Sequence, residues 1–252
     1  MSRHDSLGDR MKHYESINTQ YLTPRTPVII RLDGKAFHTW TKGIEGSFND
    51  GMHEIMMQVT GFLCEQIQNA VFGYTQSDEI TIVLKDWGSI NTSTWFGNRQ
   101  NKIESVAASM ATAKFNELVR EYLPEKAGKL AFFDARAFNV PRDEVVNNLI
   151  WRQNDATRNS VQMLGRMHFS HRQLHKKSSS DIQEMLFQEH GINWNNIDTW
   201  KRRGAAWIRI EQWDPVGESD YPVKVWERHE DMPILKDDRS YVDTLLKYDN
   251  EE

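Results

Sequence analysis

The sequence has one cysteine, Cys64, in 252 residues. A lone thiol excludes an internal disulfide and any cysteine-built zinc cluster. It sits among Phe62, Leu63 and Ile67 and reads as a core-packing residue, in keeping with a reducing, cytoplasmic setting. Long apolar runs are missing too. None approaches the ~20 residues needed to cross a bilayer, so no membrane role is expected. Met1 to Tyr21 is polar and charged and reads as neither a signal nor a transit peptide. There is no G-x-x-x-x-G-K-S/T, no G-x-G-x-x-G and no H-E-x-x-H. An excess of positive charge is also lacking. The net charge is −5, whereas a nucleic-acid binder usually carries a basic balance. Cations gather locally instead, at Arg152, Arg158, Arg166, Arg172, Lys176, Lys177 and Lys201 to Arg203. From charge alone a solvated surface is the better reading of them.

The composition that remains is ordinary for a soluble chain, 38% hydrophobic and 27% charged. Its length suits one large domain, or a core with an appendage. The organising stretch is Val28 to His38. An aliphatic run bounded by Pro27 and Gly34 reads as a buried strand, and it stops at Asp33-Gly34. An unpaired carboxylate is costly in a core. Asp33 makes sense where the strand end faces a cation, with Gly34 letting a backbone carbonyl approach it. The plain alternative is an Asp-Gly turn.

Ala70 to Leu84 reads as two short strands around a turn without glycine, Gln76-Ser77-Asp78-Glu79. Two aspartates on two strand ends could clamp two divalent ions, the arrangement that serves phosphoryl transfer. An amphipathic helix is expected over Met52–Gln68 and a second over Gln100–Tyr122, ended by Pro124. A strand should begin at Leu130–Phe133 and lead into Phe138 and Val140. The order strand, helix, strand, strand, helix, strand predicts an α+β fold. Its core is a palm-like, ferredoxin-type βαββαβ unit with helices on one face of an antiparallel sheet. In that topology the first strand lies beside the third, so Asp33 and Asp78 can meet.

Residues 1–20 predict a short helix packed on the core, or a loosely held arm. The second half predicts a helix over Arg142–Gly165 and another over 181–190, opened by a capping box at Ser180 and Gln183 and stopped at Gly191. A strand is expected over Gly204–Glu211, then an extended tail with a short helix near Tyr241 to Tyr248. The corresponding division is a catalytic core over 1–140, a helical part completing the same domain over 141–212, and a tail over 213–252. His168, His171 and His175 fall at helical spacing, but no carboxylate shares the stripe, and a polar helix face is the better reading. Several of the nine tryptophans (Trp151, Trp194, Trp200 and Trp207 among them) could stack on bases, though packing is the commoner role. The same strand order also builds RNA-recognition modules, but their Lys/Arg-Gly-Phe signature is absent and acids occupy the strand ends.

Five stretches carry a resemblance: Arg31 to His38 (Arg-Leu-Asp-Gly-Lys-Ala-Phe-His), Gly73 to Glu79, Phe133 to Arg136, Trp151-Arg-Gln153 and Phe187 to Asn195. Together the chain resembles the tRNA-His guanylyltransferase-like family, enzymes that add nucleotides to RNA 5′ ends in the 3′-to-5′ direction. The resemblance implies a polymerase-like palm and a homotetramer. It implies two Mg2+ ions held by Asp33, the Gly34 carbonyl and Asp78, with Glu79 and Ser77 beside them. Arg31, Lys35, Ala36, Phe37 and His38 would surround the nucleotide. Arg99, Asn101, Lys102 and Ser105 match the helix start that contacts the triphosphate, a good seat for anions. The RNA face would comprise Arg136, Arg152, Arg158, Asn159, Lys201 and Arg202. The implied chemistry activates the RNA 5′-phosphate with ATP or GTP. The 3′-OH of an incoming nucleoside triphosphate then attacks. Where members that read the histidine anticodon carry a His-Ile-Asn-Asn-type motif, this chain has Thr157-Arg-Asn-Ser160. That departure resembles the bacterial and archaeal branch that repairs truncated tRNA 5′ ends against a template, rather than enzymes that add a single G to tRNA-His. Gly46-Ser47 also stands where the family usually has Lys-Pro.

Overall fold

Among the described residues six strands pair in the order β4-β1-β3-β2-β5-β6, every neighbour antiparallel. They are β1 (Val28–Gly34), β2 (Ala70–Gln76), β3 (Glu79–Leu84), β4 (Phe133–Asn139), β5 (Ala205–Gln212) and β6 (Val223–His229). This is a computed structural model, and it describes residues 6–46, 48–88, 91–213 and 222–247. The first four strands, with α3 (Asp50–Gln66) and α4 (Gln100–Tyr122), form the expected βαββαβ unit. The remaining helices are α1 (Ser6–Ser16), α2 (Phe37–Trp40), α5 (Val145–His168), α6 (His171–Leu174), α7 (Ser179–His190), α8 (Thr199–Arg203) and α9 (Ser240–Asp243).

Strand alternation sends side chains to opposite faces. Val28, Ile30 and Leu32 of β1, with Ile80, Ile82 and Leu84 of β3, bury against Ile55, Met56, Val59 and Leu63 of α3 and Ile103, Ala107, Ala111 and Phe115 of α4. The other face is covered as well. Phe72, Tyr74, Val83, Ala206 and Ile208 pack under Val145, Val146 and Leu149 of α5. A third cluster joins Val161 and Leu164 of α5 to Ile182 and Leu186 of α7 and to Trp194. The sheet is therefore sandwiched, with its two core helices on one side and the C-terminal helical part on the other.

Several sequence expectations shift. Residues 130–132 are not strand. Ala131 N–H donates to Asn116 Oδ1 at 2.9 Å and Phe133 N–H to Thr112 Oγ1 at 3.1 Å, so α4 side chains hold this stretch instead of a ladder. The capping box of α7 is Ser178 with Asp181, two residues earlier than expected. The amphipathic α3 begins at Asp50, capped by Asn49, whose side chain accepts from Met52 N–H. α5 begins at Val145 after a 3-10 turn over Arg142–Glu144. α1 buries no residue, and Leu7, Met11, Tyr14 and Ile17 are exposed, so it does not pack on the core. The extended tail expected after residue 212 does not describe 222–247. There β6 pairs with β5 in register from Ala206–His229 to Gln212–Val223. Met232, Leu235, Val242 and Leu246 enter the second core cluster. Tyr248, expected at the end of the short helix, lies outside the described residues.

Candidate active site

The site forms where β1 ends beside the β2–β3 hairpin tip. Asp33 lies opposite Glu79 of β3 and Asp134 of β4. Gly34 N–H donates to the Asp78 carbonyl at 3.1 Å, which stitches the end of β1 to the hairpin turn. The turn is two residues long, Ser77-Asp78, between Gln76 and Glu79. Ser77 takes a positive φ of 53°, a conformation such tight hairpins require and non-glycine residues rarely adopt. Its hydroxyl donates to Asp78 Oδ1 at 2.9 Å.

After Gly34 the chain turns sharply. Ala36 is also left-handed, at φ 55°, and caps α2. A Cβ at Gly34 would lie 2.3 Å from the Phe37 ring, so only glycine fits. Phe37, expected around the nucleotide, borders the cavity that opens beside this turn, although it is only 4% exposed. It stacks on Trp40 and meets Phe115 and Phe133 at centroid distances of 5.3 and 5.1 Å. The reason is hydrophobic: a four-residue helix needs an anchor, and this ring supplies it. His38, next in sequence, is exposed at the site.

The electrostatics are those of carboxylates gathered without enough cations. Burial raises the Asp33 carboxyl above its usual range. Neighbouring Asp134 adds to that, while Arg31, Arg136 and Arg152 oppose it. Burial likewise raises Asp78, partly offset by the Ser77 hydroxyl and reinforced by Asp33. Among the described residues no group of three or more His, Cys, Asp and Glu forms a closed metal cage. Two hard oxygen donors in an open site fit a divalent ion such as Mg2+, which typically keeps waters and takes the rest of its shell from substrate phosphates.

Glu79 does not join them as an open carboxylate. It is buried and bidentate to Arg152, with Nε to Oε1 at 2.5 Å and Nη2 to Oε2 at 2.7 Å. Burial raises the Glu79 carboxyl even against that guanidinium, and the pair holds Arg152 above its ordinary value despite burial. Arg152, expected on the RNA face, is thus turned inward. The pairing explains it, since a buried carboxylate needs a partner. The other RNA-face candidates vary. Arg136 is 57% exposed beside Asp134, and Arg158 is 66% exposed and bonded to Asp155. Asn159 is exposed and donates to Asp155. Lys201 pairs with Asp198 at 2.7 Å, and Arg202 donates to Thr199 over the Trp194 ring.

Arg31 lies near the carboxylates and opposes the rise of Asp33. Arg31 sits over the Trp151 ring, and Lys35 follows Gly34 on the exposed turn. Arg99, Asn101, Lys102 and Ser105 do not. They are exposed at the start of α4, where Gln100 and Glu104 bond Ala137 of β4. Ala137 pairs with Ile30, three residues before Asp33, or roughly 10 Å along the strand. α4 also packs on the sheet face opposite α5, so in one chain these groups are held apart from the carboxylates.

Beyond the hairpin tip a cavity of about 720 Å3 opens between the α2–α3 connection and α5, bordered by His38, Ser77 and Asp78. Its apolar lining includes Ile44, Phe48, Met52, Met56 and Met163, with Gln162, Asn159 and Arg166 supplying polar groups. The His53 ring stacks on Trp200, with centroids 3.9 Å apart and planes 9° from parallel. Burial lowers the His53 pKa, and Glu230 opposes this, so a neutral imidazole faces the cavity. Phe37, His38, Ser77, Asn159 and Lys201, candidates from the sequence, line this cavity; His53 and the methionines were not among them, because the apolar stripe of α3 reads equally as core. Ser47, of the departing Gly46-Ser47 pair, lies outside the described residues.

A palm-like sheet with paired aspartates at adjoining strand ends, beside a cavity sized for a nucleoside, defines a nucleotidyltransferase-type enzyme. Residues 8–141 match the family model described as "Thg1: tRNAHis guanylyltransferase". A bacterial tRNA(His) guanylyltransferase (Thg1)-like protein in complex with ATP is 40% identical, with a TM-score of 0.85 over 96% of this chain and 99% of that one. A structure described as the same kind of protein in complex with GTP is 38% identical, with a TM-score of 0.82 and the same coverage. The tRNA(His) guanylyltransferase of Eremothecium gossypii is 28% identical over 79% of this chain and 89% of its own. The chain belongs to the Thg1 (tRNAHis guanylyltransferase) family.

Proposed function

We propose that this chain is a template-dependent 3′-to-5′ nucleotidyltransferase that restores nucleotides at the 5′ end of tRNA. The observation that carries the reading is the meeting of the end of β1 at Asp33 with Asp78, whose turn borders a nucleoside-sized cavity; burial raises both carboxyls, Asp134 adds to the rise of Asp33, and Asp33 adds to that of Asp78. ATP and GTP are the nucleotides expected, in line with the bacterial relatives described as bound to each. The base and sugar would enter the cavity between the α3 methionines and Met163, and the phosphates would lie toward His38, Ser77 and Lys35. Two Mg2+ ions at Asp33, the Gly34 carbonyl and Asp78 would neutralise charge on the reacting phosphates. Arg31 and Arg136, on the same sheet face, would receive the RNA 5′-phosphate. Arg158 and Asn159 extend that face along α5. For Arg99, Asn101, Lys102 and Ser105 to hold a triphosphate at a carboxylate site, they would have to do so from a second molecule of the tetramer that the resemblance implies.

Thr157-Arg-Asn-Ser160 in place of the anticodon-reading motif favours repair. The family description and the Eremothecium relative favour the second reading, addition of a single G to tRNA-His. The experiment is incorporation of labelled nucleotide into tRNA by purified protein with Mg2+, beside Asp33→Ala and Asp78→Ala. Both variants should lose incorporation and keep the wild-type circular dichroism spectrum. Full activity in either would refute the metal-holding role.

A further inference from the structure

Glu79 is adjacent to Asp78 and opposite Asp33 in the sheet register, yet both its oxygens are taken by one guanidinium. That guanidinium is itself held. Arg152 Nη2 also donates to Asp155 Oδ2 at 2.9 Å, and the Trp151 ring covers it with the centroid 4.4 Å away. The carbon backbone around Glu79 is tied too, because Thr75 Oγ1 donates to the Glu79 carbonyl at 3.0 Å. The Ser77-Asp78 turn between these ties carries a left-handed serine and a carboxylate facing another carboxylate. Both features disfavour it unless its ends are fixed.

We infer that Arg152 is a positioning residue: by gripping Glu79 through two hydrogen bonds it fixes the start of β3, so that Asp78 alone is presented to Asp33 for the cation. This deepens the reading of Asp33 and Asp78 given above and rests on it. The geometry calls for arginine. Its planar fork matches the two carboxylate oxygens, whereas lysine brings the same charge to a single point. Asp155 orients the fork from its far side. The same carboxylate bonds the exposed Arg158 and Asn159, so Arg152 is anchored to the solvent-facing side of α5 as well as to the sheet.

The test is Arg152→Lys in the full-length protein. The readout is Mn2+ affinity, measured by the electron paramagnetic resonance of free Mn2+ with a non-hydrolysable nucleoside triphosphate present and Asp33→Asn as control. Arg152→Lys should raise the Mn2+ dissociation constant about tenfold, the scale on which partners of metal-holding carboxylates act. Excess Mg2+ should restore kcat, with the KM for RNA unchanged. A merely structural role would lower stability and leave metal affinity alone. Asp155→Asn, which removes only the outer anchor, should weaken Mn2+ binding in the same direction by a smaller factor, and it carries the test should Arg152→Lys fail to fold. Wild-type Mn2+ binding in the folded Arg152 or Asp155 variant, with binding lost in Asp33→Asn, overturns this inference alone. Wild-type binding in Asp33→Asn overturns the assignment of the metal to Asp33, and this inference with it.

Discussion

Phe115 is the residue through which core packing and the active-site turn are joined. It is fully buried on α4 and meets Phe37, Trp40 and Phe133 at 5.3 Å each, in edge-on arrangements. Phe37 in turn lies against Gly34 and anchors the helix that starts beside His38. Phe115→Ala removes a whole ring from the buried core, where it packs edge-on against three others, and large-to-small changes of this kind cost about 3–5 kcal/mol. With three aromatic partners to lose, the upper half of that range is expected. In a chain of this size about 4 kcal/mol lowers the thermal midpoint by roughly 8–16 °C. Phe115→Leu keeps most of the volume and should cost about 1.5 kcal/mol. Equilibrium urea denaturation reads both values. A cycle with Phe37→Leu should show coupling of about 1 kcal/mol, as expected for a single aromatic pair. At a temperature where the variant is folded, kcat should fall because the Gly34–Phe37 turn is loosened. A loss below about 1.5 kcal/mol for Phe115→Ala, or no coupling to Phe37, would refute the claim that this cluster anchors the turn.

Other expectations follow from the same geometry. Gly34→Ala places a Cβ into the Phe37 ring and should cost about 1–3 kcal/mol by thermal denaturation, with loss of nucleotide incorporation. Arg152→Met leaves the Glu79 carboxylate buried and unpaired and should cost about 3–5 kcal/mol, whereas Arg152→Met with Glu79→Leu should recover most of that in urea titrations. Asp78 has its pKa raised by folding, so its contribution is fully present only below the unfolded carboxyl pKa and is lost as pH rises through the folded value. Asp78→Asn should therefore raise the thermal midpoint of the metal-free protein at pH 8 and lessen the difference between pH 8 and pH 5. Truncation after Gln212 removes β6 and Met232, Leu235, Val242 and Leu246 from the second core cluster, and the product should not give a cooperative unfolding transition.

Much of the palm was legible because its signals are local. Two amphipathic stripes and three apolar runs fix α3, α4 and β1 to β3 within a residue or two, and an aspartate ending an aliphatic strand is conspicuous because it makes a poor core residue. What escaped depended on distant or ambiguous partners. Ser178, Ser179 and Ser180 in a row offer three capping registers, and only the acceptor position of Asp181 selects the first. β6, reading Val-Lys-Val-Trp-Glu-Arg-His, is a half-exposed edge strand with too little apolar contrast to stand out. The Glu79–Arg152 pair joins residues 73 apart, and neither sequence neighbourhood announces the other. Gln100 and Glu104 at the start of α4 bond Ala137 of β4, 37 and 33 residues away, and no local pattern announces either contact.

The most direct measurement is 5′-end extension of two labelled tRNA-His substrates, one full length and one lacking its first 5′ nucleotide, with purified protein, Mg2+, ATP and GTP. Preferential refilling of the truncated RNA with the nucleotide that the opposite strand specifies is expected, with a change of the incorporated base when that template base is changed. Addition of a single G to the full-length RNA alone, indifferent to the template, would contradict the repair reading.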